Sequence, residues 1–370
     1  MGVRSARISD LLAIRALAAD SSAQVLGPPL PGSPSPVGLI LRGWYGGMIH
    51  RGHTMVVGRG GPGRGFVQAQ ARPGRESWDV VRLACLAPDP ECAERVCSEL
   101  LGRICAVAAQ SGALRTFARA PAEDGDRLAL LIRHSFRPYA TEITHHGVLW
   151  PLVQAATEPG PDVRMRLPRD GWDVFSLYCA LTPAMVRHAE SRSLREWTPP
   201  GQSRLSMQRP QWPVREVALG DQGSLLAWLR WQPARAGRPQ RLDLLVRPEA
   251  LDRLPELVRF AAYEQGLDVN SPTLCRTREY DGRLSSTLNQ AGFEPVLRET
   301  LLVRHTVARV SERQLLIAAL RAQGLGIEIS RYRRGAEAGH QRLASSRETE
   351  HHYYDRSDRH EHSNRTCDHR

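Results

Sequence analysis

The chain has 370 residues, which at roughly 150 residues per domain predicts two to three domains. A composition of 41% hydrophobic and 24% charged residues is typical of globular proteins and excludes a collagen-like or wholly disordered chain. The net charge is +11, but all 50 Lys and Arg positions are arginine in a chain rich in Ala, Gly and Pro. This pattern indicates biased coding rather than a nucleic-acid-binding face, and the missing lysine excludes a Schiff-base or Walker lysine.

Two further exclusions concern location and metals. The N-terminal segment has no apolar block of a signal peptide, and no apolar run approaches the ~18 residues of a membrane helix. A cytoplasmic protein without a membrane partner is therefore expected. The seven cysteines form no C-x-x-C pair, and His50-x-x-His53 has no further ligand at metal spacing, so we expect reduced thiols and no metal site.

In the first half of the chain, hydrophobic periodicity predicts alternating strands and helices. The segments in order are a helix over 7–19, strands over 54–57, 65–71 and 78–87, a long helix over 90–109, a strand over 114–118, a helix over 124–134 and a strand region over 139–149. The long helix carries an apolar stripe that includes Cys92, Cys97 and Cys105, which we interpret as small buried residues. The glycine-rich segment Gly58–Gly65 lacks a Gly-Lys-Ser/Thr end and is interpreted as a hairpin loop.

The second half repeats this order of elements. The predicted segments are a helix over 172–181, strands over 214–219, 224–231 and 241–246, a helix over 250–263, a strand over 273–278, a helix over 283–291 and a long strand over 296–310. We therefore expect domains at 1–152 and 163–312, joined by a linker at 153–162. The segment 330–370 is polar, holds six of the 13 histidines and is expected to be a disordered tail.

The repetition is also visible in the residues themselves. At a constant offset of 157 positions, Asp124-Gly125 matches Asp281-Gly282, Leu131 matches Leu288, Phe136 matches Phe293, Pro138 matches Pro295 and Glu142 matches Glu299. A duplicated α/β domain explains both the matches and the order of elements.

One such unit resembles the GNAT acyltransferase superfamily. The resemblance rests on the strand-to-helix junction at Arg7–Ile14, on Leu86-Ala87-Pro88 before the long helix, and on the turns His134-Ser135-Phe136 and Ala291-Gly292-Phe293. It implies an α/β fold of two tandem GNAT-like domains, each a mixed, mostly antiparallel sheet flanked by helices, followed by the disordered tail.

The resemblance also implies a chemistry. In this family acetyl-CoA lies between two parallel strands that separate, its pyrophosphate sits at the N-terminus of the long helix, and an amine attacks the thioester. Exposed N–H groups and the helix dipole hold the anion there. Transferred to this chain, the coenzyme contacts are Leu86, Ala87, Arg95 and Val96 in the first half, and Val246 and Arg253 in the second.

The sequence departs from the family pattern at two places. The pyrophosphate loop lacks glycine in both halves, where residues 88–96 and 248–255 place carboxylates instead. The position of the usual tyrosine acid holds Leu131 and Leu288, which cannot transfer a proton. Asp79 and Asp243 are the acids placed like a general base, and a surface carboxylate at a strand end is the alternative interpretation.

Two hypotheses about function follow. The first is an acyl-CoA-dependent N-acyltransferase of tandem GNAT type with at least one degenerate half, using acetyl-CoA as co-substrate and an amine-bearing small molecule or a protein amino group as acceptor. The alternative is a catalytically inactive GNAT-like protein that binds a ligand or partner. A nucleic-acid partner is not expected.

Overall fold

The computed structural model describes most of the chain up to residue 306. The described residues are 2–20, 24–26, 52–57, 64–72, 76–197, 215–220, 224–234 and 239–306. The chain divides into two compact units, residues 1–307 and 308–370, and the second lies outside the described residues. The predicted tail, His50 and most of Gly58–Gly65 also lie outside them.

The described part is a mixed α/β structure with one large sheet. The strands are β1 (Val3–Ser5), β2 (Gln24–Leu26), β3 (Gly52–Val57), β4 (Arg64–Ala71), β5 (Ser77–Leu86), β6 (Arg115–Pro121), β7 (Arg137–Gly147), β8 (Val163–Met165), β9 (Arg215–Leu219), β10 (Ala227–Gln232), β11 (Gln240–Val246), β12 (Thr273–Arg278) and β13 (Glu294–His305). The helices are α1 (Leu11–Ala19), α2 (Pro90–Gln110), α3 (Gly125–Arg133), α4 (Trp150–Gln154), α5 (Gly171–Leu181), α6 (Ala184–Glu190), α7 (Leu194–Trp197), α8 (Leu254–Gln265) and α9 (Gly282–Gln290).

Most predicted elements are confirmed within a few residues. The apolar stripe of α2 is buried, and its three cysteines lie in the core between α2 and β4–β5. The turns after α3 and α9 are equivalent, because the N–H of Phe136 donates to the Leu131 carbonyl at 3.1 Å and that of Phe293 to the Leu288 carbonyl at 3.0 Å. The short helices α6 and α7 were not predicted.

The strand order is β1-β3-β4-β5-β6-β13-β7-β12-β11-β10-β9-β8, with β2 beside β5. Among the described strands every pair is antiparallel except β5 with β6 and β11 with β12. We call residues 2–152 the first half and residues 163–306 the second half. The last strand of each half pairs with the other half, since β13 lies between β6 and β7, and β7 lies between β13 and β12.

Helices cover both faces of this sheet. On one face α2 packs in the core of the first half and α8 in the core of the second. On the other face α1 packs against β3–β5, and α5 packs near β9–β11 with Trp197 and Trp228. No helix in the described residues is long and apolar enough to cross a membrane. The boundaries of the two predicted domains stay a prediction, although the sheet runs through both without interruption.

Candidate functional site

Each half contains one pair of parallel strands that separate along their length. Strands β5 and β6 pair only from Ser77 to Asp79, and β11 and β12 only from Gln240 to Asp243. Beyond these points β5 continues to Leu86 and β11 to Val246. We call the openings beyond Asp79 and Asp243 the first gap and the second gap.

The second gap presents unpaired backbone to its interior. The N–H of Arg247 donates to the Leu226 carbonyl, which places Arg247 and Leu245 in register with β10. Because hydrogen-bonding direction alternates along a strand, the polar backbone groups of Leu244 and Val246 face the second gap. These are the groups with which an extended chain could pair.

A central cavity of about 280 Å³ joins the two gaps on the face covered by α5–α7. It is lined from the first half by Asp79, Val81, Phe117, Arg119, Tyr139 and Glu142, and from the second half by Tyr178, Trp197, Asp243, Leu245, Arg276, Arg278, Tyr280 and Asp281, among others. Both walls of each gap contribute, β5 and β6 in the first and β11 and β12 in the second, and the start of α9 adds Asp281 and Leu284 beside the second gap. A cavity of this size is near the lower end of small-molecule sites.

The middle of the cavity lies at the point where the repeated halves meet. Glu142 on β7 stands directly opposite Glu299 on β13, and these are the two glutamates matched at offset 157. Arg119 contacts Glu142 at 3.0 Å and Glu299 at 3.4 Å, and Arg276 contacts Glu142 at 3.4 Å. Arg119 and Arg276 are related by the same offset, so the centre consists of two matched Arg–Glu pairs.

The two glutamates differ in their titration. Burial opposes ionisation of Glu142, but Arg276, Arg278 and Arg119 outweigh it and lower its pKa to about 2. Burial raises the pKa of Glu299, and the charge of Glu142 adds to that rise, while Arg119 only partly opposes it. Two carboxylates that share a site are expected to separate in this way.

The predicted bases Asp79 and Asp243 both lie in the cavity wall but are held by arginines. Arg72 donates to both oxygens of Asp79, at 2.7 and 2.9 Å. Arg230 contacts Asp243 at 2.7 Å and Arg276 contacts it at 3.3 Å. Burial would raise the pKa of Asp243, yet the arginines reverse this and hold it far below its usual range. Such an anion is a poor proton acceptor, and this geometry disfavours Asp243 as a general base.

Asp281 is the carboxylate that sequence reasoning missed. Of the described acids that line the cavity, it alone forms no ion pair with an arginine. Burial raises its pKa, and the N–H of Leu284 only partly offsets that effect. Its counterpart Asp124 instead caps α3, accepting from the Arg127 N–H at 3.0 Å, and pairs with the Arg127 side chain at 2.8 Å. The signal was present in the sequence as the matched Asp-Gly pair, but both members were interpreted only as repeat markers.

The predicted coenzyme contacts lie away from the central cavity. Val96 and Val246 are buried in the two cores, Leu86 is half exposed at the end of β5, and Ala87 packs against the first core. Arg95 is exposed on α2.

The helix starts beside the two gaps are unequal. In the first half Asp89 accepts from the Cys92 N–H at 2.7 Å and Glu91 adds a second carboxylate, so this helix start does not fit a phosphate. In the second half the turn Pro248–Arg253 has no side-chain cap. Arg253 there already donates to Asp162 at 2.7 Å and Glu256 at 2.8 Å.

Other predicted candidates have structural roles. His145 is fully buried and His146 is exposed, which confirms that they point to opposite faces of β7. His53 stacks on Trp78 with ring centroids 5.1 Å apart. No cluster of three or more His, Cys, Asp or Glu side chains suited to a metal occurs in the described part of the chain.

Comparison with known proteins gives structural matches only. No protein-family model matches the sequence, and no curated protein matches it. A tandem GNAT protein from the clavulanic acid biosynthesis pathway is similar at 14% identity and a TM-score of 0.49, over 82% of this chain and 98% of that one. A GCN5-related N-acetyltransferase from Sphaerobacter thermophilus is similar at 15% identity and a TM-score of 0.45, over 82% and 95%.

A third similar structure is a GNAT-family acetyltransferase from Colwellia psychrerythraea, at 14% identity and a TM-score of 0.37, over 83% of this chain and 100% of that one. Identities and scores this low say nothing about what the present chain binds. These three similar structures are named as GNAT or GCN5-related proteins, and the likeness concerns the fold alone.

Proposed function

We propose that the protein is an acyl-CoA-dependent N-acyltransferase, acting in the cytoplasm, in which the second half holds the coenzyme and the first half is degenerate. The observation that carries this proposal is the continuity of the central cavity with the second gap, at whose mouth lies Asp281, a carboxylate without an arginine partner. The acceptor is an amine-bearing molecule that enters the central cavity.

The second gap supports the coenzyme arm by its backbone. The groups of Leu244 and Val246 that face the gap can pair with the amides of an extended pantetheine arm. The gap runs from Asp243 towards the turn Pro248–Arg253. Arg247 precedes this turn and Arg253 is its last residue. The Arg247 guanidinium lies 3.7 Å from Glu249, a longer contact than the other ion pairs of this region, and it is therefore the cation best placed to meet a phosphate.

Asp281 supports the acceptor chemistry. An amine must lose a proton as it attacks a thioester, and a positioned carboxylate with a raised pKa accepts that proton better than one fixed by arginines. Asp79 and Asp243 then serve to hold Arg72, Arg230 and Arg276 in place.

The test compares matched positions of the two gaps. Val81 and Leu245 occupy equivalent places two residues after Asp79 and Asp243, and both line the cavity. We expect the full chain to bind acetyl-CoA with micromolar affinity in calorimetry. Leu245→Glu should weaken that affinity about tenfold or more, because it adds a carboxylate to the gap, whereas Val81→Glu should leave it within about twofold.

The converse results are equally informative. Weaker binding in Val81→Glu alone would place the coenzyme in the first gap. No binding of acetyl-CoA up to millimolar concentration would reject acyl transfer. Melting temperatures of both variants near that of the unchanged chain show that the fold is intact.

A second candidate function is a catalytically inactive protein that binds a ligand in the same cavity. The observation that favours it concerns the ion pairs: of the five described carboxylates that line the cavity, four are paired with arginines. Carboxylates held in this way suit a rigid binding surface better than proton transfer. Mass spectrometry of amines incubated with the protein and acetyl-CoA separates the two functions, because only the first yields acetylated product.

A further inference from the structure

The end of the cavity beside α5–α7 has more hydrogen-bond donors than acceptors. The Nη1 atom of Arg278 and the indole Nε1 of Trp197 are buried, and neither has a hydrogen-bond partner among the described residues. Trp197 is only 7% exposed. A buried donor without a partner costs about 1–3 kcal/mol, and both residues that carry these two donors line the cavity.

A third donor lies in the same region. Tyr139 lines the cavity, and none of the described hydrogen bonds involves its hydroxyl. Burial, with a contribution from the nearby Glu190 charge, raises the pKa of Tyr139 to about 12, so the phenol keeps its proton at neutral pH. Its ring packs edge-on against Phe117, with centroids 6.0 Å apart, which fixes the direction of the hydroxyl.

The acceptors of this region are already occupied. Glu190 accepts from Tyr178 at 2.9 Å, from Arg192 at 2.8 Å and from the Nη2 atom of Arg278 at 3.0 Å. The Arg192 guanidinium lies over the rings of Tyr178 and Trp197, 5.4 Å from each centroid. Glu190 therefore orients the surrounding donors and has little capacity left for a cationic ligand.

The net charge of the cavity lining is also positive. Among the described residues, six arginines line the cavity against five carboxylates, and burial raises the pKa of one of these, Asp281.

We propose that the acceptor carries a carboxylate, bound by the Arg278 Nη1, Trp197 Nε1 and Tyr139 hydroxyl donors, so that the substrate class is an amino acid or a similar small amino carboxylate. The proposal rests on the proposed function, and it deepens that function by naming the part of the acceptor that is recognised. A guanidinium and an N–H donor are groups that suit the oxygens of a carboxylate. The amine of such a molecule would extend towards Asp281, three residues after Arg278 at the end of β12.

The experiment measures binding without acetyl-CoA, so that it does not depend on catalysis. The probes are pairs that differ only in the carboxylate: tyrosine and tyramine, histidine and histamine, lysine and cadaverine. In calorimetry with the full chain, we expect the carboxylated member of at least one pair to bind about tenfold or more tightly, since charge-assisted hydrogen bonds are lost in its partner. Absence of that preference in all three pairs overturns the proposal.

A matched pair of tryptophan variants tests the donor itself. Trp197→Phe keeps the ring contacts with Tyr178 and Trp228 but removes the unpartnered N–H, and it should weaken binding of the preferred probe about threefold to tenfold without lowering the melting temperature. Trp228→Phe removes an N–H that already donates to Glu216 at 2.9 Å. Because Trp228 also lines the cavity, Trp228→Phe should lower the melting temperature and weaken binding less than Trp197→Phe does. Equal loss of affinity in both variants would mean that ring packing, not the donor, is responsible, and the proposal would be wrong.

The outcomes also separate this proposal from acyl transfer. Preferential binding of the carboxylated probe with no acetylated product on addition of acetyl-CoA keeps the carboxylate site and rejects the enzyme. Acetylation of tyramine, histamine and cadaverine as fast as of their amino acids keeps the enzyme and rejects the carboxylate site.

Discussion

Residues matched at an offset of 157 make different contacts in the two halves, and Asp124 and Asp281 show this most directly. Asp124 caps its helix and pairs with Arg127, so its charge is fully used within the fold. Asp281 begins the equivalent helix and accepts from the Leu284 N–H, but it lines the cavity without an arginine partner among the described residues, and burial raises its pKa. The matched helix starts thus share the capping contact and differ in the ion pair, which only Asp124 forms.

The helix starts beside the two gaps also differ, in whether a carboxylate caps them. The first half has closed its helix start with Asp89, whereas the turn Pro248–Arg253 has no side-chain cap. Closing a helix start with a carboxylate stabilises the helix but removes an anion site. The comparison teaches that the two helix starts differ in their capping although the last strand of each half still pairs with the other half.

The largest effect is expected at the matched glutamates in the centre. Glu142→Gln removes the charge that faces Arg119, Arg276 and Arg278, and leaving buried cations uncompensated should cost about 3–5 kcal/mol of unfolding free energy. Glu299→Gln should cost less, about 1 kcal/mol or below, because burial and the charge of Glu142 already oppose ionisation of Glu299 and raise its pKa. Urea unfolding of both variants measures the difference, and equal costs would contradict the asymmetry.

Acid should reveal the same asymmetry in the unchanged protein. The pKa of Glu142 falls from 4.5 to about 2 on folding, so the unfolded chain binds this proton more tightly. Its contribution to stability is present above pH 4.5 and is lost as the pH falls towards 2, on the order of 3 kcal/mol. Glu299 has the opposite sign, because its raised pKa makes it lose stability as the pH rises. Urea unfolding between pH 5 and pH 3 should show a flatter curve for Glu142→Gln; a curve as steep as that of the unchanged chain would place the titration elsewhere.

The next effect concerns catalysis and rests on the proposed function. Asp281→Asn should lower kcat for amine acetylation about a hundredfold, because asparagine cannot accept the proton. Asp124→Asn should leave kcat unchanged, and since asparagine also caps helices, both variants should melt close to the unchanged chain. The rate of the unchanged enzyme should rise with pH through the raised pKa of Asp281, and Asp281→Asn should lack that limb. A pH profile that keeps the limb in the variant would assign the base to another residue.

Local patterns made much of this fold predictable. The 3.6-residue stripe of α2, the alternation of β11 and the equivalent turns before Phe136 and Phe293 depend on neighbours in sequence, and the structure confirms them. The interleaving of β7 and β13 could not be predicted, because strand pairing at a separation of about 150 residues leaves no trace in either strand alone. The long strand at the end of each half was expected to belong to the domain of that half.

The site was only partly predictable for a related reason. Asp79 and Asp243 were expected near the chemistry and do line the cavity, but their arginine partners come from neighbouring strands. Extending the offset of 157 only five positions upstream of Asp124 would have revealed Arg119 and Arg276. Trp197 gave no signal, since an aromatic residue in a proline-rich stretch does not show which of its atoms lacks a partner.

The smallest expected effect on the free energy of unfolding is at the equivalent turns after α3 and α9. Ser135 and Gly292 are matched positions, and both adopt the left-handed backbone, with φ of 64° and 86°. A side chain at this φ costs roughly 1 kcal/mol, and a Cβ added at Gly292 would meet no atom within 4 Å, so Gly292→Ser should lower the unfolding free energy by about 1 kcal/mol through the backbone alone. Ser135→Gly should raise it by a few tenths, because relief of the strained φ exceeds the entropy that glycine adds to the unfolded chain. Chemical denaturation of the two variants and of the double variant should give additive changes, since the turns lie in separate cores. A loss of stability in Ser135→Gly would show that the serine side chain stabilises this turn and that the two halves differ here as well.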